Sequence, residues 1–232
     1  MELKIEIQGL DRLRNEFGSL LPRRIQFAVL KAIDRTADKT KSRLYSEMHR
    51  VFDRPTPYTL GALKIKAPTM SNLTAEVGFK EPWAVRSTKY LTPQVEGGPR
   101  RFKGFELAMA RAGGLRSNEY LIPARGAPLN QFGNVSPGLI QKILSGLQMS
   151  PDKYAQTTAA SRARKHSNEW YFITQAGIWQ RKGKTTTMLF FRTSKAPQYK
   201  RRFLFYDLAK QFADQTYVGE FSTAIAEAMA KQ

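Results

Sequence analysis

Residues 22–50 read PRRIQFAVLKAIDRTADKTKSRLYSEMHR, and this stretch decides the fold. Ile25, Ala28, Val29, Ala32, Ile33, Thr36, Thr40, Leu44 and Met48 recur at spacings of three and four. At 3.6 residues per turn those positions share one helical face. Arg23, Arg24, Lys31, Arg35, Lys39 and Arg43 populate the remaining surface. Pro22 suits the first turn, where a backbone N–H has no intrahelical partner to lose. Pro55 and Pro57 forbid continuation past about Arg50. The spacing predicts one long amphipathic helix, which needs an apolar surface to lie on.

That surface is sought on either side. Upstream, Leu3, Ile5 and Ile7 alternate with Glu2, Lys4, Glu6 and Gln8, the pattern of a half-buried strand. Gly9 ends it, and Asp11 can cap a short helix through about Leu20. Downstream, Leu60–Ala67 and Leu73–Lys80 read as two strands joined by a turn at Pro68–Asn72. Residues 81–101 are loop-rich, with Pro82, Pro93, Gly97, Gly98 and Pro99. Phe102–Ala112 reads as a short helix with Phe102, Phe105, Ala108, Met109 and Ala112 on one stripe, stopped by Gly113 and Gly114.

Residues 115–135 carry no periodic signal and read as irregular. Ser136 can cap a helix starting at Pro137 and running to about Leu147. Residues 148–168 are polar and read as an exposed arm. Trp170–Gln175, Gly177–Arg181 and Thr186–Arg192 are rich in aromatic and β-branched residues, which suggests a meander or hairpin turning at Lys182–Lys184. Lys200–Tyr206 reads as mixed strand or loop. Leu208 and Phe212, then Phe221, Ala224, Ile225, Ala228 and Met229, mark C-terminal helices.

The order predicts an α+β fold. An antiparallel sheet packs against a long N-terminal amphipathic helix and a C-terminal helix, with a long irregular middle insertion. Three segments are expected. Residues 1–89 hold the first strand, the long helix and a β-hairpin. Residues 90–168 form a loop-rich insertion or arm with short helices. Residues 169–232 add a meander and the C-terminal helix, completing the same core.

Composition narrows the chemistry. The 232 residues include no cysteine, which excludes disulfides, zinc–thiolate sites, iron–sulfur clusters and cysteine nucleophiles. The N-terminal residues lack the apolar stretch of a signal peptide, and no apolar run approaches the ~20 residues that span a bilayer. The reading is of a protein made and used in a soluble phase, with no membrane partner.

No catalytic motif completes itself. Gly177-Ile-Trp-Gln-Arg-Lys-Gly183-Lys184-Thr185 approaches a phosphate-binding loop, but five residues separate the glycines and Ile178 stands where glycine is required. A β-type sequence follows where a helix N-terminus should cradle phosphate. The plain reading is a basic hairpin turn. The histidines, His49 and His166, stand outside any ligand-spaced set and read as surface residues. None of the 19 carboxylates stands in a recognisable acid–base pair, and Glu96 beside Gly97-Gly98 reads as the charged tip of a loop. No enzymatic activity, cofactor or metal is expected.

Charge is the informative feature. Thirty-eight Lys and Arg face 19 acids, a formal net charge of +19. Solubility alone rarely needs a magnitude beyond ~8 in a small domain. A compact state carrying that charge repels itself, so an acidic partner is the natural remedy. No Asp or Glu occurs from Trp170 to Tyr206, a stretch that holds Arg181, Lys182, Lys184, Arg192, Lys195, Lys200, Arg201 and Arg202. A second cluster comprises Arg100, Arg101, Lys103, Arg111, Arg116 and Arg125, and a third Arg162, Arg164 and Lys165. The candidate residues facing DNA or a partner are Arg100, Arg101, Lys103, Arg162, Arg164, Lys165, Arg181, Lys182, Lys184, Lys200, Arg201 and Arg202. Trp170, Tyr171, Trp179 and Tyr199 are interleaved with these cations. Such a mixture can bind single strands by phosphate contact and stacking. The reading favoured here places these aromatics in the core and the charges on an acidic partner surface or a DNA-lined channel.

Two segments carry a family resemblance. Ile-Glu-Ile-Gln-Gly-Leu-Asp-Arg-Leu at 5–13 resembles the opening of tail-completion and minor tail proteins of long-tailed bacteriophages. Ala32-Ile-Asp-Arg-Thr-Ala37 within the long helix is most similar to a phrase of the minor tail protein Z group. The resemblance covers about the first 80 residues and, more loosely, the last 35, while residues 90–148 are longer than in the short family members. It implies a virion protein, assembled in the host cytoplasm, at the head-proximal end of the tail. Its implied role is tail completion or head–tail joining, as part of a ring or as a homo-oligomeric ring. Implied partners are the tail tube, tail terminator and head connector. The cations would face DNA in the lumen or acidic rims of neighbouring rings. The alternative, resting on charge alone, is a non-specific nucleic-acid-binding protein.

Overall fold

The computed structural model describes residues 2–5, 23–80, 87–156, 158 and 169–230. The chain divides into two compact units, residues 1–97 with 200–232, and residues 98–199. Each has its own apolar core.

The first unit is built on the long helix. Strand β1 (Glu2–Ile5) precedes helix α1 (Arg23–Val51). A one-turn helix α2 (Pro57–Leu60) follows, its first turn capped by the Thr56 hydroxyl, which accepts from Thr59 N–H at 3.1 Å. Strands β2 (Leu63–Lys66) and β3 (Ala75–Phe79) form the predicted hairpin, with β3 central between β1 and β2 and all pairs antiparallel. Leu63 lies opposite Phe79 and Leu3 opposite Val77. The face of α1 predicted from spacing is the buried one, from Ala28 through Ile33 and Leu44 to Met48. It packs with Val77, Phe79, Phe203 and Phe205. Burying a side chain such as Phe203 contributes about 1.5–3 kcal/mol.

Helix α3 (Ser87–Glu96) corrects the loop expected over 81–101. Pro93 inside it argued for a loop, because an interior proline costs ~3 kcal/mol. Leu91 and Val95, four residues apart and both 1 % exposed, reach the core on one face and offset that cost. Gly97, at φ 79°, ends the helix in the left-handed conformation.

The second unit opens with β4 (Gly98–Pro99) and contains helix α4 (Gly104–Arg111), strand β5 (Tyr120–Pro123) and helix α5 (Pro137–Gly146). A short 3₁₀ turn (Lys153–Ala155) follows. Strands β6 (Glu169–Ile173), β7 (Gly177–Lys182), β8 (Thr185–Thr193) and β9 (Gln198–Tyr199) complete it. Ser136 caps α5 as predicted, accepting from Leu139 N–H at 3.2 Å. The strand β5, within the stretch read as irregular, is an edge strand in the order β5-β8-β7-β6. Pro123 is tolerated there because an edge residue has one side free of ladder bonds. Gly98 pairs with Tyr199 and Pro99 with Gln198, so the ends of the unit lie side by side.

The meander was expected to complete the same core as the C-terminal helix. It instead closes a separate core, with Ile178, Leu189 and Phe190 packing on Phe105, Met109, Leu121 and Ile143. The unit boundaries are 97/98 and 199/200, not 89/90 and 168/169. The chain then returns to the first unit, where irregular residues lead into helix α6 (Phe205–Ala230), a single helix where two or more were read. It runs antiparallel to α1: Lys31 and Arg35 pair with Glu227, and Lys39 pairs with Glu220. Ala28, Ala32 and Ala224 let the two backbones approach closely. No helix among the described residues is long and apolar enough to cross a membrane. The α+β class holds, with antiparallel sheets and the two long helices packed against strands of the first unit.

Candidate functional site

The twelve candidate cations separate by environment. Arg100 is 8 % exposed and is a structural residue, which corrects its assignment to a contact surface. Its guanidinium donates to the two Glu106 carboxylate oxygens at 2.8 and 2.5 Å and to the Leu121 carbonyl at 3.2 Å. Glu106 sits at the third position of α4 and also accepts from Lys103 N–H at 2.6 Å and Leu121 N–H at 2.8 Å. Burial raises a carboxyl's pKa, but here Arg100 and the two N–H groups outweigh it and hold Glu106 below the usual range.

Arg101 and Lys103 are exposed, as are Lys200, Arg201 and Arg202, with Arg201 bonded to Asp207 at 2.5 Å. Arg162, Arg164 and Lys165 lie outside the described residues, as do the first predicted helix and His166. His49 is exposed and edge-on to the Tyr45 ring at 5.0 Å.

Arg181, Lys182 and Lys184 cluster at the turn of the β7–β8 hairpin, all exposed. Gly183 makes that turn at φ 60°, so the near-miss phosphate motif is a hairpin turn, as the spacing implied. At the other end, Gly177 has no substitute, since a Cβ there would meet the Phe190 carbonyl oxygen at 1.9 Å. The register slips between Ile178 and Trp179. That bulge turns both Leu189 and Phe190 toward the core.

The bulged, twisted sheet presents two different faces. Tyr171 and Ile173 pack on the core. Their neighbours Trp170 and Phe172 alternate to the opposite face. Register places Trp179 across from Phe172, and Arg181 across from Trp170. The Phe172 and Trp179 rings are near-parallel at 6.4 Å, and Trp170 stands 5.3 Å from Phe172. Trp170 is 52 % exposed, and the Arg181 guanidinium lies over its ring at 5.9 Å. Trp179 donates from Nε1 to the Thr174 hydroxyl at 3.0 Å, which fixes its ring. Of Trp170, Tyr171, Trp179 and Tyr199, all expected in the core, Tyr171 packs on it and Trp170 does not. Strict alternation along Glu169–Ile173 was the signal that could have separated Trp170 and Phe172 from Tyr171.

Carboxylates are engaged elsewhere. A shallow pocket of the second unit is lined by Phe102, Leu107, Arg111 and Arg116 together with Glu106 and Glu119. Burial would raise the Glu119 carboxyl, but the Arg116 N–H and the Arg192 guanidinium hold it below the usual range. Neither acid is poised to exchange a proton near neutral pH. No three His, Asp or Glu side chains among the described residues stand together as a metal site. Compared with known protein-family models, curated proteins and solved structures, the chain matches none.

Proposed function

We propose that the chain is a structural protein of a long-tailed bacteriophage virion. In this reading it is a tail-completion or neck component at the head-proximal end of the tail, assembling with or as a ring. It works by docking, without a reaction centre. The observation that carries this is the disposition of charge. Glu47, Glu106, Glu119, Glu220 and Glu227 are bound to Arg or Lys of the same chain. Lys184, Lys200 and Arg202 are exposed without a carboxylate partner among the described residues. With a formal net charge of +19 over the whole sequence, these exposed cations are available to an acidic rim or to phosphate. The resemblance of residues 5–13 to tail-completion and minor tail proteins, and of residues 32–37 to the minor tail protein Z group, supplies the setting. Mass spectrometry of purified virions tests it: the chain is expected among the tail proteins, and virions lacking it would overturn the reading.

Changing Lys200, Arg201 and Arg202 together to Glu is expected to block assembly and leave the fold intact. The backbone of this segment is held by Arg202 and Phe203 N–H groups donating to the Gln94 carbonyl at 2.8 and 3.0 Å, which the side chains do not enter. Exposed charge changes move stability by under ~0.5 kcal/mol each. Thermal melting of the purified variant beside a complementation assay checks this. A large fall in Tm would make the triplet structural.

A further inference from the structure

We propose that the outer face of the β6–β7–β8 sheet binds single-stranded nucleic acid, with bases stacked on Trp170, Phe172 and Trp179 and phosphates held by Arg181 and by Lys184 at the hairpin turn. The inference stands apart from the virion assignment, since the face would serve any exposed single strand.

Three observations converge. The aromatic row crosses two neighbouring strands on the face turned away from the unit's own core. Trp170, 52 % exposed, and the half-buried Phe172 and Trp179 beside it form a contiguous aromatic patch, and such patches mark contact sites. The row is also held rigid, by the Trp179–Thr174 hydrogen bond and by Arg181 over Trp170. A rigid ring loses little entropy when a base stacks on it. Strand β7 then leads into Arg181, on the same face, and into Lys184 at the hairpin turn, both exposed.

Charge selects the occupant. An aromatic platform alone would also suit a sugar, but sugar recognition wants carboxylates and amides beside the rings for the hydroxyls. No Asp or Glu occurs from Trp170 to Tyr206; Glu169, which opens β6, is opposite Lys182 in register, at positions that alternate to the other face from Trp170 and Arg181. Stacking surface followed by cations matches an alternation of base and phosphate. Bases stacked inside a duplex cannot reach the rings, so the face distinguishes single strands from double strands.

The test uses the full chain and a fluorescein-labelled dT oligomer, with a duplex of equal length and heparin as comparison polyanions. The oligomer is expected to quench tryptophan fluorescence and to bind more tightly than the duplex. Trp170→Ala should weaken oligomer binding about fivefold or more, since stacking on one ring is worth ~1–3 kcal/mol per base. Trp170→Phe should restore most of it. Lys184→Gln should flatten the logarithmic salt dependence by ~0.7, the value of one phosphate contact on a single strand. Trp170 is exposed, so an unchanged melting curve is expected and is measured beside each titration. Equal binding of oligomer, duplex and heparin, unmoved by Trp170→Ala, would overturn the proposal and leave charge alone. Absence of oligomer binding at low salt would overturn it outright.

Discussion

Ile33→Asp is expected to unfold the first unit. Ile33 is fully buried on α1, in a core shared with Leu44, Met48, Val77, Phe79, Leu91 and Phe203. Removing its side chain alone costs about 2–5 kcal/mol, as for other large-to-small core changes. An ionised carboxylate there has no counter-charge, and desolvating it adds several kcal/mol. A domain holds about 5–15 kcal/mol in total, so the sum approaches or exceeds what is available. The sign with pH follows from burial. A buried, unpaired Asp has a folded-state pKa above its unfolded value, so the penalty grows as pH rises above the unfolded value and shrinks as pH falls toward it. The variant should therefore be less unstable at pH 4 than at pH 7, relative to the parent at the same pH. Ile33→Val, costing ~0.5–1.5 kcal/mol, is the control for shape. Circular dichroism melts of the three proteins check the result. A parental melt for the Asp variant would mean that Ile33 is not a core residue.

The long helix was legible because period and environment agree over its whole length: every buried position of α1 except Ala37 and Glu47 belongs to the predicted stripe. Glu47 escapes because Arg50, one turn on, binds its carboxylate at 2.9 and 2.5 Å. The hairpin Leu63–Phe79, the cap of α5 and the meander were legible for similar reasons, since each rests on local chemistry. What could not be read is tertiary. Pro93 argued against α3 and was overridden by two buried side chains, while β5 lies in a stretch without periodic signal and exists through its pairing with β8. Two separate cores leave no local mark, because a buried Phe190 looks like a buried Phe203 in one dimension. The candidate site divides the same way. Exposed cations near a Gly183 turn were visible as composition, whereas the burial of Arg100 depends on Leu121, a contact made across 21 positions.

Removing the Glu106 carboxylate should unfold the second unit and leave the first folded. Four donors converge on it: two guanidinium N–H groups of Arg100 and the backbone N–H groups of Lys103 and Leu121. The pair ties the loop entering the unit, the first turn of α4 and the edge strand β5 at one point. Glu106 is 1 % exposed, so water does not replace it. Glu106→Ala leaves Arg100 buried and uncompensated, for which 3–5 kcal/mol is the usual cost. Glu106→Gln keeps the shape but turns one acceptor into a donor facing donors, so it should recover only part of the loss. Changing Arg100→Met in the Glu106→Ala background removes the stranded charge and should recover more, and the double-mutant cycle gives the coupling. In the parent, the folded pKa of Glu106 is depressed. Its stabilisation is therefore present above the unfolded value near 4.5 and lost as pH falls through the lower folded value. The Ala variant should lack that part of the acid response. Limited proteolysis with mass spectrometry locates the effect, with new cleavage expected between Gly98 and Tyr199 and protection kept in α1 and α6. Cleavage and melting unchanged from the parent would show the pair to be dispensable. Arg101→Glu, one residue from Arg100 but exposed, is expected to leave both readouts unchanged, which separates the cation that builds the unit from the cations left to meet a partner.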